Sequence, residues 1–373
     1  MRLIFCGGGT AGHITPAIAI AEKILQKFPK AEILFVGREG GDENQTVEKR
    51  GFEIKTLKIS GFERRLCFKN LRSFQIAIAA LKKAKKIIQE FSPDAVIGTG
   101  GYVCWPILKS AQRLKIPTLI HESNAAPGLT AKMLSKKCDR VLLNLEGSEL
   151  EFKRRDNIRI VGNPVRKEFL TIERAAARKK LGLCDKDFFI FSFGGSGGSR
   201  KLNDSVIELM ESHSTKNKNV RHTHACGRKY FNGIKNSSPH LTCGKAGCII
   251  KPYVDEMALM MKAADVVIAR AGAMTLAEIA ASSAPAILVP SPNVTNNHQY
   301  KNAKHLHGRG AALMIEESEL SERTLCDAVK RLENNIQLRN KIAESVNDFF
   351  IPDSVEKITK EILNLICENQ RSQ

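Results

Sequence analysis

Short apolar runs alternate with helix-spaced ones along most of the chain. Leu3–Cys6 is apolar throughout and stops at glycines. Ile14, Ala17, Ile18, Ala21, Ile24 and Leu25 then recur at the spacing of one helix face. Ile33–Val36, Ile54–Ile59, Ala95–Gly98, Thr118–His121 and Val141–Leu143 predict further strands, and Leu71–Glu90 an amphipathic helix. Strands that are apolar on both faces belong to a parallel sheet covered by helices on both sides. The pattern restarts at Phe188–Phe193, which runs into Gly194–Gly198 and a helix near Lys201–Glu211. Arg221–Cys226, Ile249–Ile250, Val266–Ala269 and Ala286–Pro290 continue as strands, with helices over Val254–Ala263, Thr275–Ala281 and the C-terminal third. The expected fold is α/β, with two Rossmann-like, doubly wound parallel-sheet domains joined near Gly162-Asn163-Pro164.

Length and composition agree with two domains. The chain has 373 residues, of which 43% are hydrophobic, enough for two cores and too many for a disordered chain. Its net charge of +19 calls for an anionic partner: nucleic acid, acidic lipid or a phosphorylated substrate. Aromatics are only 6% and no nucleic-acid-binding module appears, so nucleic acid is the weakest of the three. Ten cysteines are scattered without a framework, which fits a reducing compartment. No run approaches the roughly 20 apolar residues of a membrane span. The apolar start at Met1–Cys6 is too short for a signal-peptide core.

Three glycine-rich or small-residue turns carry candidate chemistry. Gly7-Gly8-Gly9-Thr10-Ala11-Gly12 follows a strand and opens a helix, as a dinucleotide-binding turn does, and Glu39 after the second strand is a candidate ribose acid. The next residue, His13, points elsewhere: an imidazole at a helix start is placed either to cap the helix or to move a proton beside a phosphate or hydroxyl. Gly194-Gly195-Ser196-Gly197-Gly198-Ser199-Arg200 offers bare amides and a hydroxyl to a diphosphate, or is simply a tight turn. Arg270–Glu278 follows the strand Val266–Ala269, where small residues let a ligand approach the backbone. Glu278 lies one helical turn further, positioned for a ribose diol or for the helix dipole.

The ordered set Gly7–His13, Gly100-Gly101-Tyr102-Val103, His121-Glu122-Ser123-Asn124, Val161–Arg166, Gly194–Arg200, Ala271–Glu278, His298-Gln299 and Ile351-Pro352-Asp353 resembles the MurG family. These are N-acetylglucosaminyltransferases of peptidoglycan synthesis, with the GT-B fold of two domains facing across a cleft. The resemblance covers nearly the whole chain and implies an inverting transfer of GlcNAc from UDP-GlcNAc to the MurNAc 4-hydroxyl of undecaprenyl-diphosphate-MurNAc-pentapeptide. It implies work at the cytoplasmic face of the cell membrane by a peripheral protein.

By the same resemblance the donor contacts fall on Thr10, Ala11, Gly12, Asn124, Arg166, Ser196, Val254 and Gln299, with Ala273, Met274, Thr275 and Glu278 at the uridine and ribose. His13 becomes the base that activates the acceptor hydroxyl. No cofactor and no metal are expected. Residues 1–163 form the expected acceptor and membrane-side domain and residues 164–349 the donor domain, with a helix over about 350–373 packing back on the first. Ser199 stands where the family often has alanine.

Remaining features have competing readings. Asp185-Lys186-Asp187 spells a D-x-D metal motif but precedes a strand, which favours a solvated turn. His222, His224 and Cys226 alternate on one strand face, with His240, Cys243 and Cys248 downstream; zinc would want paired short knuckles, which are missing. Between Arg64 and Lys86 lie eight basic residues and no acidic one, and Leu71, Phe74, Ile78 and Leu81 form a stripe at helical spacing. That face is either solvated or docks on anionic lipid, where Trp105 would also sit. The charge excess is larger in residues 1–163 (net +12) than in 164–373 (net +7), which favours the membrane reading.

Overall fold

The computed structural model describes residues 1–8, 11–41, 44–59, 69–195, 197–244, 247–294 and 297–371, residues 11 and 69–75 by backbone alone. The chain forms two compact units, Met1–Pro164 with Ile351–Gln373, and Val165–Phe350.

The first unit holds a sheet of β1 (Arg2–Cys6), β2 (Glu32–Arg38), β3 (Glu53–Leu57), β4 (Ala95–Gly98), β5 (Thr118–Glu122), β6 (Arg140–Leu143) and β7 (Ile158–Ile160). Their spatial order is β3-β2-β1-β4-β5-β6-β7, and every pairing is parallel. The apolar strands explain themselves by what covers them. Leu3 and Phe5 pack with Ile14, Ala17, Ile18, Ala21 and Ile24 of the Ala11–Lys27 helix. Ile4 and Cys6 face the other way, onto Cys104, Ile107 and Leu108 of the Cys104–Arg113 helix.

The second unit repeats the plan with β8 (Phe188–Phe193), β9 (Val220–Ala225), β10 (Cys248–Lys251), β11 (Val266–Ala269), β12 (Ala286–Leu288) and β13 (Leu313–Met314), in the order β10-β9-β8-β11-β12-β13, again all parallel. In β8, Phe189, Phe191 and Phe193 fill one core, while Phe188 and Ile190 fill the other.

Several boundaries differ from the sequence pattern. The Ile54–Ile59 run stops pairing at Leu57 and the Ala286–Pro290 run at Leu288. The helix expected from Val254 begins at Met257. The pattern does not announce β7 and β13, edge strands of three and two residues, too short to show a period.

The last helix, Ser354–Arg371, belongs to the first unit. Its Ile358, Ile362, Leu365 and Ile366 enter the core around Leu3 and Phe5. Glu356 pairs with Lys23 and Lys27, and Arg140 with Glu361 and Glu368. The two chain crossings lie side by side: Gly162 has φ +84°, and a Cβ there would stand 2.7 Å from Ile351 Cβ. His121 Nε2 lies 3.0 Å from Gly162 O and holds this turn from behind. Burial lowers the His121 pKa, so the ring is neutral and donates.

Candidate active site

Both sheets reverse strand order beside their first strand, between β1 and β4 and between β8 and β11. Ligands of open α/β sheets bind at the carboxyl ends of strands at such reversals. Every glycine-rich motif of the sequence lies at one of these two places.

At the β1/β4 reversal, His13 is half-buried near the start of the Ala11–Lys27 helix. The Gly100-Gly101 turn after β4 lies directly under its ring. A Cβ on Gly100 would stand 2.7 Å from His13 Cε1, and one on Gly101 would overlap Gly8 O. Both glycines also have positive φ, +114° and +84°, which side chains disfavour. Thr99 Oγ1 donates to His13 O at 2.6 Å, tying the helix start to β4. Cys104 Sγ stands 3.0 Å from Gly100 O and 3.1 Å from Cys6 O. The sequence pattern gave no role to Thr99 or Cys104.

Asn124 follows β5 and is held by a buried carboxylate. Glu122 Oε1 accepts from Asn124 N and Nδ2, both at 3.0 Å, and Oε2 accepts from Gly128 N at 3.0 Å. The Asn124 amide nitrogen is thus fixed, and Asn124 Oδ1 is oriented away from Glu122.

At the β8/β11 reversal, Ser199 stands at the N-cap position of the Arg200–Leu209 helix and Arg270 directly follows β11. Arg270 Nη2 donates to Ser199 Oγ and to Glu317 Oε2, and Nη1 to Val289 O at 3.1 Å, so one guanidinium ties both turns together. Ala273, Met274 and Thr275 form the first turn of the Ala273–Ser282 helix, and Glu278 lies on its buried side. Arg166 Nη2 reaches Glu278 Oε1 at 3.1 Å and stacks on Phe169. Burial raises the Glu278 pKa, and Arg166 opposes that rise. Arg166 Nε is buried without a hydrogen-bond partner among the described residues. Gln299 Oε1 accepts from Ser291 N at 2.9 Å. Asn302, one turn on, donates to Ala271 O at 3.2 Å; its i+3 spacing from Gln299 was the signal available for it. Val254 is buried among Ala258, Leu259 and Met261 in the core of this unit.

Thr10 and Ser196 lie outside the described residues, as do residues 64–68 of the basic stretch; Ala11 is described as the first residue of its helix. Arg166 meets Glu278 on the helix that begins with Ala273, Met274 and Thr275, and Gln299 belongs to the same unit; Gly12, His13 and Asn124 belong to the first.

The chain matches the glycosyltransferase family 28 N-terminal domain over residues 3–143 and the C-terminal domain of that family over residues 189–358. The UDP-N-acetylglucosamine--N-acetylmuramyl-(pentapeptide) pyrophosphoryl-undecaprenol N-acetylglucosamine transferase of Acetivibrio thermocellus is 40% identical over 99% of both chains. The transferase of the same name from Clostridioides difficile is 38% identical, over 100% of this chain and 91% of its own. The crystal structure of Acinetobacter baumannii MurG is 25% identical over 97% of this chain and 99% of that one, with a TM-score of 0.74.

The chain belongs to the MurG family.

The fold reaches wider than the family. A co-structure of S. aureus MnaA with UDP has a TM-score of 0.70 over 98% of this chain and 97% of that one at 13% identity, a likeness of architecture alone. MurG-family membership replaces the nicotinamide reading of the first glycine turn. Glu39, its candidate ribose acid, is exposed just after β2.

The competing readings of other motifs also resolve. Asp187 is not a solvated turn residue: it is 4% exposed, accepts from Cys184 N at 2.7 Å and pairs with Arg221. His222 and His224 are buried core histidines hydrogen-bonded to serines. His240 pairs with Glu211 at the surface, and Cys226 Sγ points to Lys251 O. Among the described residues no three His, Cys, Asp or Glu side chains group as metal ligands, and the nine described cysteines are free thiols. Trp105 is partly buried against the core of the first unit. Lys82, Lys83, Lys85 and Lys86 are exposed on the Lys69–Phe91 helix, as is Ile78 at 41%. No described helix is long and apolar enough to cross a membrane.

Proposed function

We propose that this chain transfers GlcNAc from UDP-GlcNAc to the MurNAc 4-hydroxyl of undecaprenyl-diphosphate-linked MurNAc-pentapeptide, with inversion at the sugar carbon. The observation that carries this is the 40% identity, over 99% of both chains, to a transferase of that name. Peptidoglycan synthesis of this kind serves cell-wall growth, cell shape and division.

Inverting transfer needs a base for the acceptor hydroxyl and a home for the charge of the departing diphosphate. His13 is the catalytic base. Its ring lies over Gly100, where two glycines leave room for it, and an imidazole is the side chain suited to moving a proton near neutrality. The amides of Gly194–Ser199, at the start of the Arg200–Leu209 helix, receive the diphosphate with Ser196. The buried Arg166 Nε–H adds a donor of fixed charge. Glu278 spends Oε1 on Arg166 and offers Oε2 to the ribose diol. Ala273, Met274 and Thr275 receive the uridine, with Val254 and Gln299 bordering them. Thr10, Ala11, Gly12 and Asn124 are further donor contacts. No step is assigned to a metal or cofactor.

The first unit serves the acceptor and the membrane. Exposed Lys82, Lys83, Lys85 and Lys86 support adhesion to the anionic cytoplasmic face, each basic residue contributing about 1 kcal/mol near such a surface.

The test is incubation of the protein with labelled UDP-GlcNAc and lipid-diphosphate MurNAc-pentapeptide. Label on the MurNAc 4-hydroxyl is the expected result. Label only on another lipid acceptor would replace this reading with that of a different GT-B transferase.

A further inference from the structure

Behind the Gly194–Ser199 turn, six polar groups cross an otherwise apolar core. Ser192 and His224 are paired across β8 and β9, and His222 lies two residues back on the same face. That face otherwise meets Ile190, Leu202, Val206 and Leu209. Ser192, Ser214, His222 and His224 are 0% exposed and Asn203 is 1% exposed.

The direction of each hydrogen bond follows from one fixed end. Cys226 O can only accept, so the Asn203 amide atom 2.9 Å from it is the NH2 group. Asn203 Oδ1 therefore faces His224 Nε2 at 3.1 Å, and Nε2 must carry the proton. Burial pushes the His224 pKa down to about 4, so the ring carries a single proton near neutrality; with that proton on Nε2, Nδ1 accepts from Ser192 Oγ at 2.8 Å, and its 3.2 Å approach to Ser192 O is a contact without a hydrogen bond. Having given its only proton, Ser192 Oγ accepts from His222 Nε2 at 2.8 Å. His222 is also held neutral by burial, and its Nδ1 accepts from Ser214 Oγ at 3.1 Å. Every proton in the chain points the same way, toward Cys226 O.

That carbonyl is where the chain meets the turn. A Cβ on Gly198 would overlap Cys226 O, and one on Gly227 would stand 2.8 Å from Gly198 Cα. The place of the Cys226–Gly227 backbone thus sets the place of Gly198 and of the amides beside it. A fully satisfied buried network admits one arrangement where apolar filling admits several.

We propose that Ser192, His222 and His224 are positioning residues for the diphosphate-binding turn, holding it through this one-directional chain from Ser214 to Cys226 O. The inference rests on the reading above that Gly194–Ser199 receives the diphosphate of the donor.

The test compares UDP with uridine, measured by calorimetry on the full-length protein. Wild-type protein should bind UDP far more tightly than uridine. Ser192→Ala removes the central hydroxyl and should weaken UDP about tenfold while leaving uridine unchanged. KM for UDP-GlcNAc should rise with it and KM for the lipid acceptor should not. Ser192→Thr keeps the hydroxyl and should restore the UDP preference. If Ser192→Ala does not fold, Ser192→Cys, with a weak S–H donor, should show the same selective loss at smaller size. Equal loss of UDP and uridine, or no loss of either, overturns the positioning role while leaving the site itself standing. A wild-type protein with no preference for UDP over uridine overturns both.

Discussion

The two glycine turns are built alike and furnished differently. Each follows the first strand of its sheet at the strand-order reversal and opens a helix. In the first unit the histidine stands at the helix start, half-buried, with its ring over Gly100. In the second, the histidines stand behind the turn, fully buried, with all four ring nitrogens in hydrogen bonds. Solvation separates their jobs. A half-buried imidazole stays open to a reacting group, whereas burial holds the other pair neutral, and that pair serves as rigid wiring.

That contrast is easiest to break at His13. His13→Ala should lower kcat by about 10²–10⁴-fold while KM for UDP-GlcNAc changes little. Turnover close to wild type would return His13 to the role of a helix cap.

The next effect belongs to the buried pair. A histidine whose folded pKa lies below its unfolded value stabilises the protein above the unfolded pKa. That stability is lost as pH falls toward the folded pKa. For His224 the window runs from about 6.5 down to about 4, and the loss across it is on the order of 3 kcal/mol. Urea midpoints taken between pH 7 and 4 should therefore fall less steeply for His224→Gln than for wild type. Parallel curves would mean that the pair does not titrate as described.

A third comparison lies within one turn. Gly198 has φ +68° and no room for a Cβ, whereas a Cβ on Gly197 meets nothing within 4 Å. Gly198→Ala should cost about 2 kcal/mol or more and weaken UDP binding, and Gly197→Ala should stay within about 0.5 kcal/mol. Equal losses, read by melting temperature and UDP affinity, would dissolve the argument that Cys226 O sets the turn. The smallest effect is expected at Cys104→Ser, which keeps a donor facing Cys6 O and Gly100 O; activity should stay within about threefold of wild type. A large loss would show that the Gly100 turn depends on sulfur itself.

The sequence carries the central strands plainly because each is buried on both faces, as the split of Leu3 and Phe5 from Ile4 and Cys6 shows. Edge strands such as Leu313–Met314 lack that double burial over enough residues to be seen. Turn motifs are local in sequence and so were legible. What joins them is not: Thr99 reaches His13 across 86 positions, and Ser199 meets Arg270 across 71. The alternation of His222 and His224 is visible in the chain. Their partners, 30 and 21 positions away in Ser192 and Asn203, decide between metal ligand and core, and no spacing announces them. Asp187 misleads for the same reason, because Arg221 lies on a different strand.

The returning Ser354–Arg371 helix orders events during synthesis. Ile358, Ile362, Leu365 and Ile366 complete a core that Leu3 and Phe5 begin, so the first unit cannot close until nearly the whole chain has left the ribosome. The second unit is continuous in sequence and is free to close earlier. At about 5–20 residues per second, the interval between Pro164 and the end of that helix lasts about 10–40 s. Throughout it the core around Leu3 and Phe5 lacks Ile358, Ile362, Leu365 and Ile366. The N-terminal half is made first and its core is completed last.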